Sequence, residues 1–272
     1  MTLQRLAVFP VKSCGAIEMT ACEVEERGLR HDRRWLVTDE SGRFLTQREL
    51  PQLATIRPTL LDEELVLRCG DARLTIPLQL HEGERVPVEI WRDTLEAIRL
   101  GELADDWLRD VLGADARLVW MPEESLRLVD ERFARQGEIT SFSDGFPFLV
   151  LGRASLDDLN ARIEANGGQG VGAERFRANF IVDGAPPYDE DTWARFRIGD
   201  CEFEAVKPCS RCVIPTLDQT SGEKTGPEPL RTLAQYRRVG EKVFLAQNAL
   251  ARRLGTVRVG DEVEVLSRRE NG

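Results

Sequence analysis

Residues 206–215 read VKPCSRCVIP and place two thiols, Cys209 and Cys212, three positions apart. The proline at position 208 fixes its own φ and favours an extended conformation in the residue before it, so we predict a strand that runs into a turn. Lys207 and Arg211 flank the thiols, and positive charge favours the thiolate, the form that attacks electrophiles and binds metals. The polar, turn-rich residues that follow are typical of a loop that lines a site.

The residues alone leave four interpretations of this cysteine pair open. A structural zinc site needs four ligands, whereas the chain offers two histidines, His31 and His81, and no second Cys-x-x-Cys pair. A redox dithiol normally lies at the start of a helix, but Pro215 and a turn-rich loop follow here. Two small buried cysteines are the third interpretation. The fourth is a single thiolate that binds a soft metal whose other ligands come from a cofactor.

The bulk composition favours a soluble cytoplasmic protein. The chain has 272 residues, enough for one large domain or two modest ones, and its 42% hydrophobic and 31% charged residues are typical of a globular fold. No stretch is apolar enough for a signal peptide or a membrane span, and six unevenly spaced cysteines indicate a reducing compartment. A formal net charge of −10 disfavours binding to nucleic acid or to anionic membranes.

Short apolar or alternating runs indicate a β-rich first part of the chain. We predict strands at 6–8, 34–38, 65–67, 74–76 and 86–90, with turns at 40–42, 69–71 and 82–83. Short strands at this spacing favour a small antiparallel barrel or sandwich. The loops at 10–15 and 29–34 carry Lys12, Ser13 and Arg33, and such basic loops suit an oxyanion such as phosphate.

The rest of the chain is predicted to mix helices and strands. An amphipathic helix is predicted at 102–113, with Gly113 as its C-cap, and the charged stretch 122–145 is predicted to be a long connection at a domain boundary. The other predicted elements are strands at 116–121, 146–151, 176–182 and 198–205, helices at 153–166 and 228–238, and a closing hairpin at 256–265.

Two of these elements carry polar side chains that suit a ligand. Ser155 is the predicted N-cap of the helix at 153–166, and a helix N-terminus that directly follows a strand is a ready anion site. Arg177 and Asn179 fall on one face of the predicted strand at 176–182 because side chains alternate with a period of two. An arginine and an amide in an apolar strand require polar partners.

Several of these motifs together resemble the MOSC domain, which molybdenum cofactor sulfurases share with amidoxime-reducing molybdoenzymes. The resemblance lies in KPCSRC at 207–212, FRAN at 176–179 and GDEV at 260–263. Upstream, PVKSC at 10–14 and HDRRWLV at 31–37 resemble the N-terminal β-barrel that precedes MOSC in the YcbX-like and mitochondrial amidoxime-reducing proteins. The motifs occur in the family's order and cover essentially the whole chain.

The resemblance implies a β-rich α/β fold of two domains: an antiparallel β-barrel-like domain at 1–122 and a MOSC β-barrel with peripheral helices at 123–272. It also implies a molybdenum–molybdopterin cofactor between the two halves, with Cys212 as the thiolate ligand to the metal. The residues that match cofactor-contacting positions of the family are Lys12, Ser13, Arg33, Ser155, Arg177, Asn179, Ser210 and Arg211.

The activity implied by the resemblance is two-electron reduction of an N-hydroxylated small molecule, with Cys212 at the catalytic centre. No cluster-binding cysteine set follows the MOSC segment, so electrons are expected from a separate donor protein such as a ferredoxin or a flavoprotein reductase. Ala178 stands where the family often has proline, a change in strand rigidity rather than in chemistry. Two alternatives stay open: a sulfur or cofactor carrier with Cys212 as a transfer thiol, and a non-catalytic fold with a buried cysteine pair. The residues assign no role to Cys209.

Overall fold

The computed structural model describes residues 1–269 and shows, within them, a β-rich fold with three α-helices. Up to residue 122 the elements are β1 (Thr2–Val8), β2 (Ile17–Met19), β3 (Ala21–Glu25), β4 (Gly28–Leu29), β5 (Trp35–Thr38), β6 (Arg57–Leu60), β7 (Glu64–Cys69), β8 (Ala72–Pro77), β9 (Glu84–Ile90), β10 (Asp93–Arg99), α1 (Glu102–Leu112) and β11 (Arg117–Trp120).

The second half adds two helices and ten strands. They are β12 (Arg127–Leu128), β13 (Ile139–Thr140), β14 (Phe148–Gly152), α2 (Arg153–Ala165), β15 (Phe180–Asp183), β16 (Trp193–Ile198), β17 (Cys201–Ser210), α3 (Leu230–Tyr236), β18 (Arg238–Val239), β19 (Lys242–Arg253), β20 (Gly255–Arg258) and β21 (Val263–Arg268). None of the helices in the described part of the chain is both long and apolar enough to cross a membrane.

One nine-stranded sheet dominates the second half and also takes in the start of the chain. Its strand order is β2-β1-β15-β14-β19-β17-β16-β21, and β18 pairs with β19 beside it. β1 pairs antiparallel with β15, with Leu6 opposite Phe180, so the first strand completes a sheet built mainly from residues beyond 147. The smaller sheets are β5-β11-β10-β9, β6-β7-β8, β20-β3-β4 and β12-β13. The closed barrel form and the division at residues 122/123 stay predictions.

Two large apolar cores lie against these sheets. One packs α1 against the sheets of the first half and includes Trp35 and Trp120. The other lies on the nine-stranded sheet, where the rings of Phe148, Phe180 and Phe203 meet with centroids 5.2 to 5.8 Å apart. Aromatic pairs at such distances add stability beyond that expected from the apolar area that they bury. This cluster therefore stabilises the sheet that carries residues 206–215, the cysteine segment.

Helix α1 confirms the predicted amphipathic pattern. Its buried apolar residues Ala104, Trp107, Leu108 and Leu112 lie on one face at helical spacing. Gly113 follows in the left-handed region at φ 66°, and its N–H donates to the Arg109 carbonyl at 2.9 Å. This is the geometry of a glycine C-cap, so the predicted end of the helix is also confirmed.

The predicted strand at 176–182 begins later than expected. A 3-10 turn covers Ala173–Phe176, Arg177 takes a left-handed conformation at φ 56°, and β15 starts at Phe180. The Arg177 carbonyl accepts a hydrogen bond from Arg33 Nη2 at 3.2 Å, a tertiary contact that the apolar run does not encode. Arg177 and Asn179 therefore do not share a strand face, and that part of the prediction is wrong.

Two further predictions about the strands are wrong. Residues 256–265 do not form a hairpin, because β20 pairs with β3 whereas β21 pairs with β16. The predicted strand at 198–205 crosses a turn at Gly199-Asp200 that joins β16 to β17. A Gly-Asp turn locates a chain reversal in the sequence, but the sheet edge that each strand joins depends on distant residues.

Candidate functional site

Seven of the nine predicted site residues line one cavity of about 100 Å³. They are Lys12, Ser13, Arg33, Arg177, Asn179, Arg211 and Cys212. The cavity lies where the loop after β1, the loop before β5, the turn before β15 and the end of β17 meet, so residues far apart in the sequence share its walls. Other lining residues, which were not predicted, include Arg48, Asp144, Cys209 and Asn248.

The two remaining predicted site residues, Ser155 and Ser210, do not line this cavity. Ser155 is buried in the first turn of α2, where its hydroxyl donates to Glu190 Oε2 at 2.8 Å and accepts from the Tyr188 N–H at 2.7 Å. Gly152 is the N-cap of α2, so the capping prediction for Ser155 is wrong. Ser210 is exposed at the end of β17. A cofactor contact from either serine stays a prediction.

The loop after β1 brings a buried lysine to the cavity. The Lys12 N–H donates to the Trp35 carbonyl at 2.9 Å, and Gln47 Nε2 donates to the Ser13 carbonyl at 2.6 Å. Ser13 has a φ of 69°, a left-handed conformation that residues other than glycine adopt rarely. The Lys12 side chain is 7% exposed, and its ammonium forms an ion pair with the Asp144 carboxylate. The loop is thus fixed in a conformation that holds one cation at the cavity wall.

Two guanidinium groups share one aromatic ring next to the cavity. The Cζ atoms of Arg33 and Arg177 lie 4.5 and 4.4 Å from the centre of the buried Phe9 ring. A ring face attracts cations, and the attraction is larger where water is excluded. Asp32, also buried, accepts from the Phe9 N–H at 2.7 Å and pairs with Arg33. These contacts hold two like charges close together beside the cavity.

The buried side chain of Asn179 connects these pieces. Its Oδ1 accepts from Arg33 Nη1 and from the Leu149 N–H, both at 3.2 Å, and its Nδ2 donates to the Ala7 carbonyl at 3.2 Å. Buried polar groups are almost always hydrogen-bonded, and here one amide satisfies backbone groups of two strands and a side chain of the site. Asn179 therefore fixes β1, β14 and Arg33 relative to one another.

The cysteine segment forms another wall of the cavity. β17 ends at Ser210, which confirms the predicted strand that runs into a turn. Arg211 Nη1 donates to Cys209 Sγ at 3.0 Å, and Nη2 donates to the Phe176 carbonyl at 2.9 Å. Cys212 follows, half-buried, among the lining residues. The guanidinium therefore contacts the first thiol of the pair, Cys209.

The cavity concentrates positive charge in an acidic protein. Its lining contains five cationic side chains and the single carboxylate of Asp144, whereas the whole chain has a net charge of −10. The cations are Lys12, Arg33, Arg48, Arg177 and Arg211.

Burial, together with the nearby Arg33, lowers the pKa of Arg177 to about 10. Partial desolvation acts to raise the pKa of Asp144, but Lys12 and the neighbouring guanidinium groups hold it well below its usual range. Such a set of cations suits an anionic ligand that neutralises them.

A larger groove of about 1020 Å³ lies along residues 24–34 and includes His31, His81 and Trp120 in its lining. Burial, with Arg30 and Arg34, lowers the pKa of His31 to about 4, so this imidazole is neutral at neutral pH. Arginines and carboxylates are interspersed along the groove, and none of its described lining side chains is a thiol. The smaller cavity is therefore the candidate site.

The burial of Lys12 has a consequence for stability that can be measured. Burial lowers its pKa from the ordinary 10.5 to about 8, although the ion pair with Asp144 raises it. Between these two values the unfolded chain binds more protons than the folded chain, so the contribution of Lys12 to stability rises with pH. We expect the free energy of unfolding of the wild type, relative to Lys12→Met, to increase by up to about 3 kcal/mol across this range in urea titrations. If the difference in free energy of unfolding between the wild type and Lys12→Met stays constant or falls with pH, burial does not lower the pKa of Lys12.

Comparisons with known proteins place the chain in a family. The MOSC N-terminal beta barrel domain matches residues 1–115, and the MOSC domain matches residues 137–264. The mitochondrial amidoxime-reducing component 1 of Homo sapiens is 32% identical over 97% of this chain and 83% of that protein. The mitochondrial amidoxime reducing component 2 of Bos taurus is 32% identical over 96% of this chain and 82% of that protein. The molybdenum cofactor sulfurase of Oryza sativa subsp. japonica is 31% identical over 89% of this chain but 31% of that protein.

The two domain matches occur in the order in which the sequence motifs occur, and the amidoxime-reducing relatives align from one end of the chain almost to the other. The chain therefore belongs to the MOSC domain family, in the group that carries the MOSC N-terminal domain and includes the mitochondrial amidoxime-reducing components.

Proposed function

We propose that this protein binds a molybdenum–molybdopterin cofactor in the cavity through Cys212 and reduces N-hydroxylated small molecules in the cytoplasm. The observation that carries the proposal is the meeting of a half-buried thiol and five cations in one cavity. A thiolate suits a soft metal, and guanidinium and ammonium groups suit a phosphate. The relatives that align over most of their length are amidoxime-reducing components, and an amidoxime is an N-hydroxylated compound.

The donor set of the cavity fits this cofactor. Arg211 Nε is buried without a hydrogen-bond partner, and a buried N–H of this kind needs an acceptor. Lys12 and Arg33 supply positive charge for an anionic tail, and Ser13 supplies a hydroxyl. The space between the side chains, about 100 Å³, is smaller than the roughly 300–1,000 Å³ of pockets that hold organic ligands, so side chains at the rim have to move on binding.

The proposed reaction takes two electrons and two protons into an N–OH group and releases the N–H product and water, and the bound molybdenum centre would supply this chemistry. The chain's own groups would bind and orient the cofactor. Cys212 is the proposed thiolate ligand, and Arg211 places positive charge beside the thiols. Asn179 and Asp32 position Arg33. The buried side chain of Phe148 limits the access of water from the core side.

The electrons would come from a separate donor protein, such as a ferredoxin or a flavoprotein reductase. The cavity is lined by Lys12 and Ser13 from the first half of the chain and by Arg177 and Cys212 from the second. This supports a cofactor held between a barrel-like domain at 1–122 and a MOSC barrel at 123–272, a division that is part of the proposal.

The alternative activity is that of a sulfur or cofactor carrier, with Cys212 as a transfer thiol. The relative named a molybdenum cofactor sulfurase is matched over 31% of its own length, whereas an amidoxime-reducing relative is matched over 83% of its length. The extent of these alignments favours the reductase.

Metal analysis and turnover test the proposal together. We expect near-stoichiometric molybdenum in the protein purified from a host that makes molybdenum cofactor, and none in the protein from a host that cannot make it. The loaded protein should reduce an amidoxime to the amidine with a chemical reductant, and the unloaded protein should not. Molybdenum in neither preparation would move the assignment to the carrier or to a structural role of the cysteine pair.

A further inference from the structure

Asp144 is the one carboxylate among the described residues that line the cavity. Its Oδ1 accepts a hydrogen bond from Lys12 Nζ, and its side chain is 66% exposed whereas that of Lys12 is 7% exposed. The charges of Arg48 and Arg33 also contribute to its lowered pKa. Lys12 therefore relies on Asp144 for neutralisation, while Asp144 keeps most of its own surface in contact with water.

The backbone that carries Asp144 is anchored, but its carboxylate has a single attachment. The Phe142 N–H donates to the Arg33 carbonyl at 2.9 Å, and the Ser143 carbonyl accepts from Arg127 Nη1 at 2.5 Å. Within residues 1–269, the only group found hydrogen-bonded to the Asp144 carboxylate is the Lys12 ammonium. Rotation of the Asp144 side chain thus breaks one ion pair and leaves the loop in place.

We propose that Asp144 is an internal counter-ion that competes with an anionic ligand for Lys12 and Arg48 and thereby sets the affinity of the cavity for a phosphate-bearing cofactor. The identity of that ligand rests on the proposed function, whereas the competition concerns any tetrahedral dianion. Arg48 is suited to be the second cation, because it lines the cavity and its Cζ lies 5.1 Å from the centre of the Trp91 ring.

The difference in exposure between the two partners favours such an exchange. An exposed carboxylate recovers its hydration when it leaves, whereas the buried Lys12 ammonium needs a replacement anion at once. A dianion between Lys12 and Arg48 provides twice the negative charge of Asp144 at the same place. The outward turn of Asp144 also enlarges a cavity of about 100 Å³, which binding of an organic cofactor requires.

Sulfate binding to the full chain tests the competition without metal or turnover. Sulfate has the tetrahedral shape of a phosphate monoester, and its charge is constant near neutral pH. The pKa of Lys12 is about 8 in the wild type, and the loss of Asp144 lowers it further, so the titrations are made at roughly pH 5. There we expect Asp144→Asn to bind sulfate about fivefold to tenfold more tightly than the wild type in calorimetric titrations. Asp157→Asn, which removes a carboxylate from the exposed ion pair with Arg153, should leave the affinity unchanged. Lys12→Met in the Asp144→Asn background should abolish the gain.

Equal or weaker binding of sulfate by Asp144→Asn overturns the competition and makes Asp144 a residue that merely holds Lys12 in place. Asp144→Asn leaves Lys12 without its partner, so circular dichroism checks that the variant still folds. Asp144→Ser, which also lacks the carboxylate, serves as the second variant and is checked in the same way. Molybdenum content reports on the proposed function separately. Molybdenum without a gain in sulfate affinity contradicts the competition alone, whereas a gain in affinity with no molybdenum in any preparation contradicts the proposed function alone.

Discussion

Replacement of Cys212 by serine should remove molybdenum and amidoxime reduction together. We expect a loss of activity of more than about a hundredfold, beyond the loss found when only the outer partners of metal ligands are changed. The physical reason is that a serine hydroxyl, unlike a thiolate, is a poor ligand for a soft metal. Cys212 is half-buried at the cavity wall, so the smaller oxygen should fit without unfolding the chain. Metal analysis and a turnover assay on the purified variant measure both losses.

Cys209→Ser is the matched control for this prediction. Cys209 lines the same cavity and accepts a hydrogen bond from Arg211, which a serine oxygen also accepts. We therefore expect this variant to keep its molybdenum and most of its activity. Loss of the metal in Cys209→Ser but not in Cys212→Ser would reverse the assignment of the two thiols.

Asn179→Ala should reduce the free energy of unfolding by about 3–5 kcal/mol, a large effect for one substitution. The truncation leaves the Leu149 N–H and the Ala7 carbonyl buried without the partner that Asn179 provides, and it removes one acceptor from Arg33. Because these groups belong to the walls of the cavity, we also expect lower molybdenum content in protein that is still folded. Urea denaturation and metal analysis of the same preparation measure the two effects.

Asn160→Ala separates stability from function. Asn160 exchanges two hydrogen bonds with the Val171 backbone, at 2.8 and 3.0 Å, but lies on α2 and does not line the cavity. We expect a smaller loss of stability and unchanged molybdenum content. If both asparagine variants lose the metal in proportion to their stability, Asn179 acts on the fold in general and not on the site.

The chemistry of the site could be predicted from the sequence because it resides in short local motifs. The spacing of Cys209 and Cys212, and the basic loops around Lys12 and Arg33, indicate a thiolate and an anion site before any fold is known. Their meeting in one cavity depends on the pairing of β1 with β15, a contact between residues far apart in the sequence. The composition of neither strand specifies that partner.

β19 shows why part of the fold could not be predicted. Residues 242–253, KVFLAQNALARR, are rich in alanine, leucine and arginine, which favour helices. The segment nevertheless lies inside the largest sheet, paired with β14 on one side and β17 on the other. The context of a central strand overrides propensity, and Ala246, at φ 76°, shows that the strand is irregular within that context.

Arg48 and Asp144 were missed for a different reason. Neither belongs to a recognisable motif, and Asp144 lies in the stretch 122–145 that was predicted to be a connection between domains. Its Asp-Gly pair is an ordinary turn signal. Only the position of this turn beside Lys12 gives the aspartate its electrostatic importance.

The pairing of Leu6 with Phe180 also bears on how the newly made chain matures. The first strand pairs with β2 on one side, but its other edge stays open to wrong partners while the ribosome makes the segments that precede β15. At about 5–20 residues per second, the roughly 200 residues between Lys12 and Cys212 take about 10–40 s to synthesise. Until then the thiol and the cations that surround it are not in one place. A cofactor offered to the nascent chain before Cys212 is made therefore finds no complete binding site, so loading has to follow synthesis of this residue.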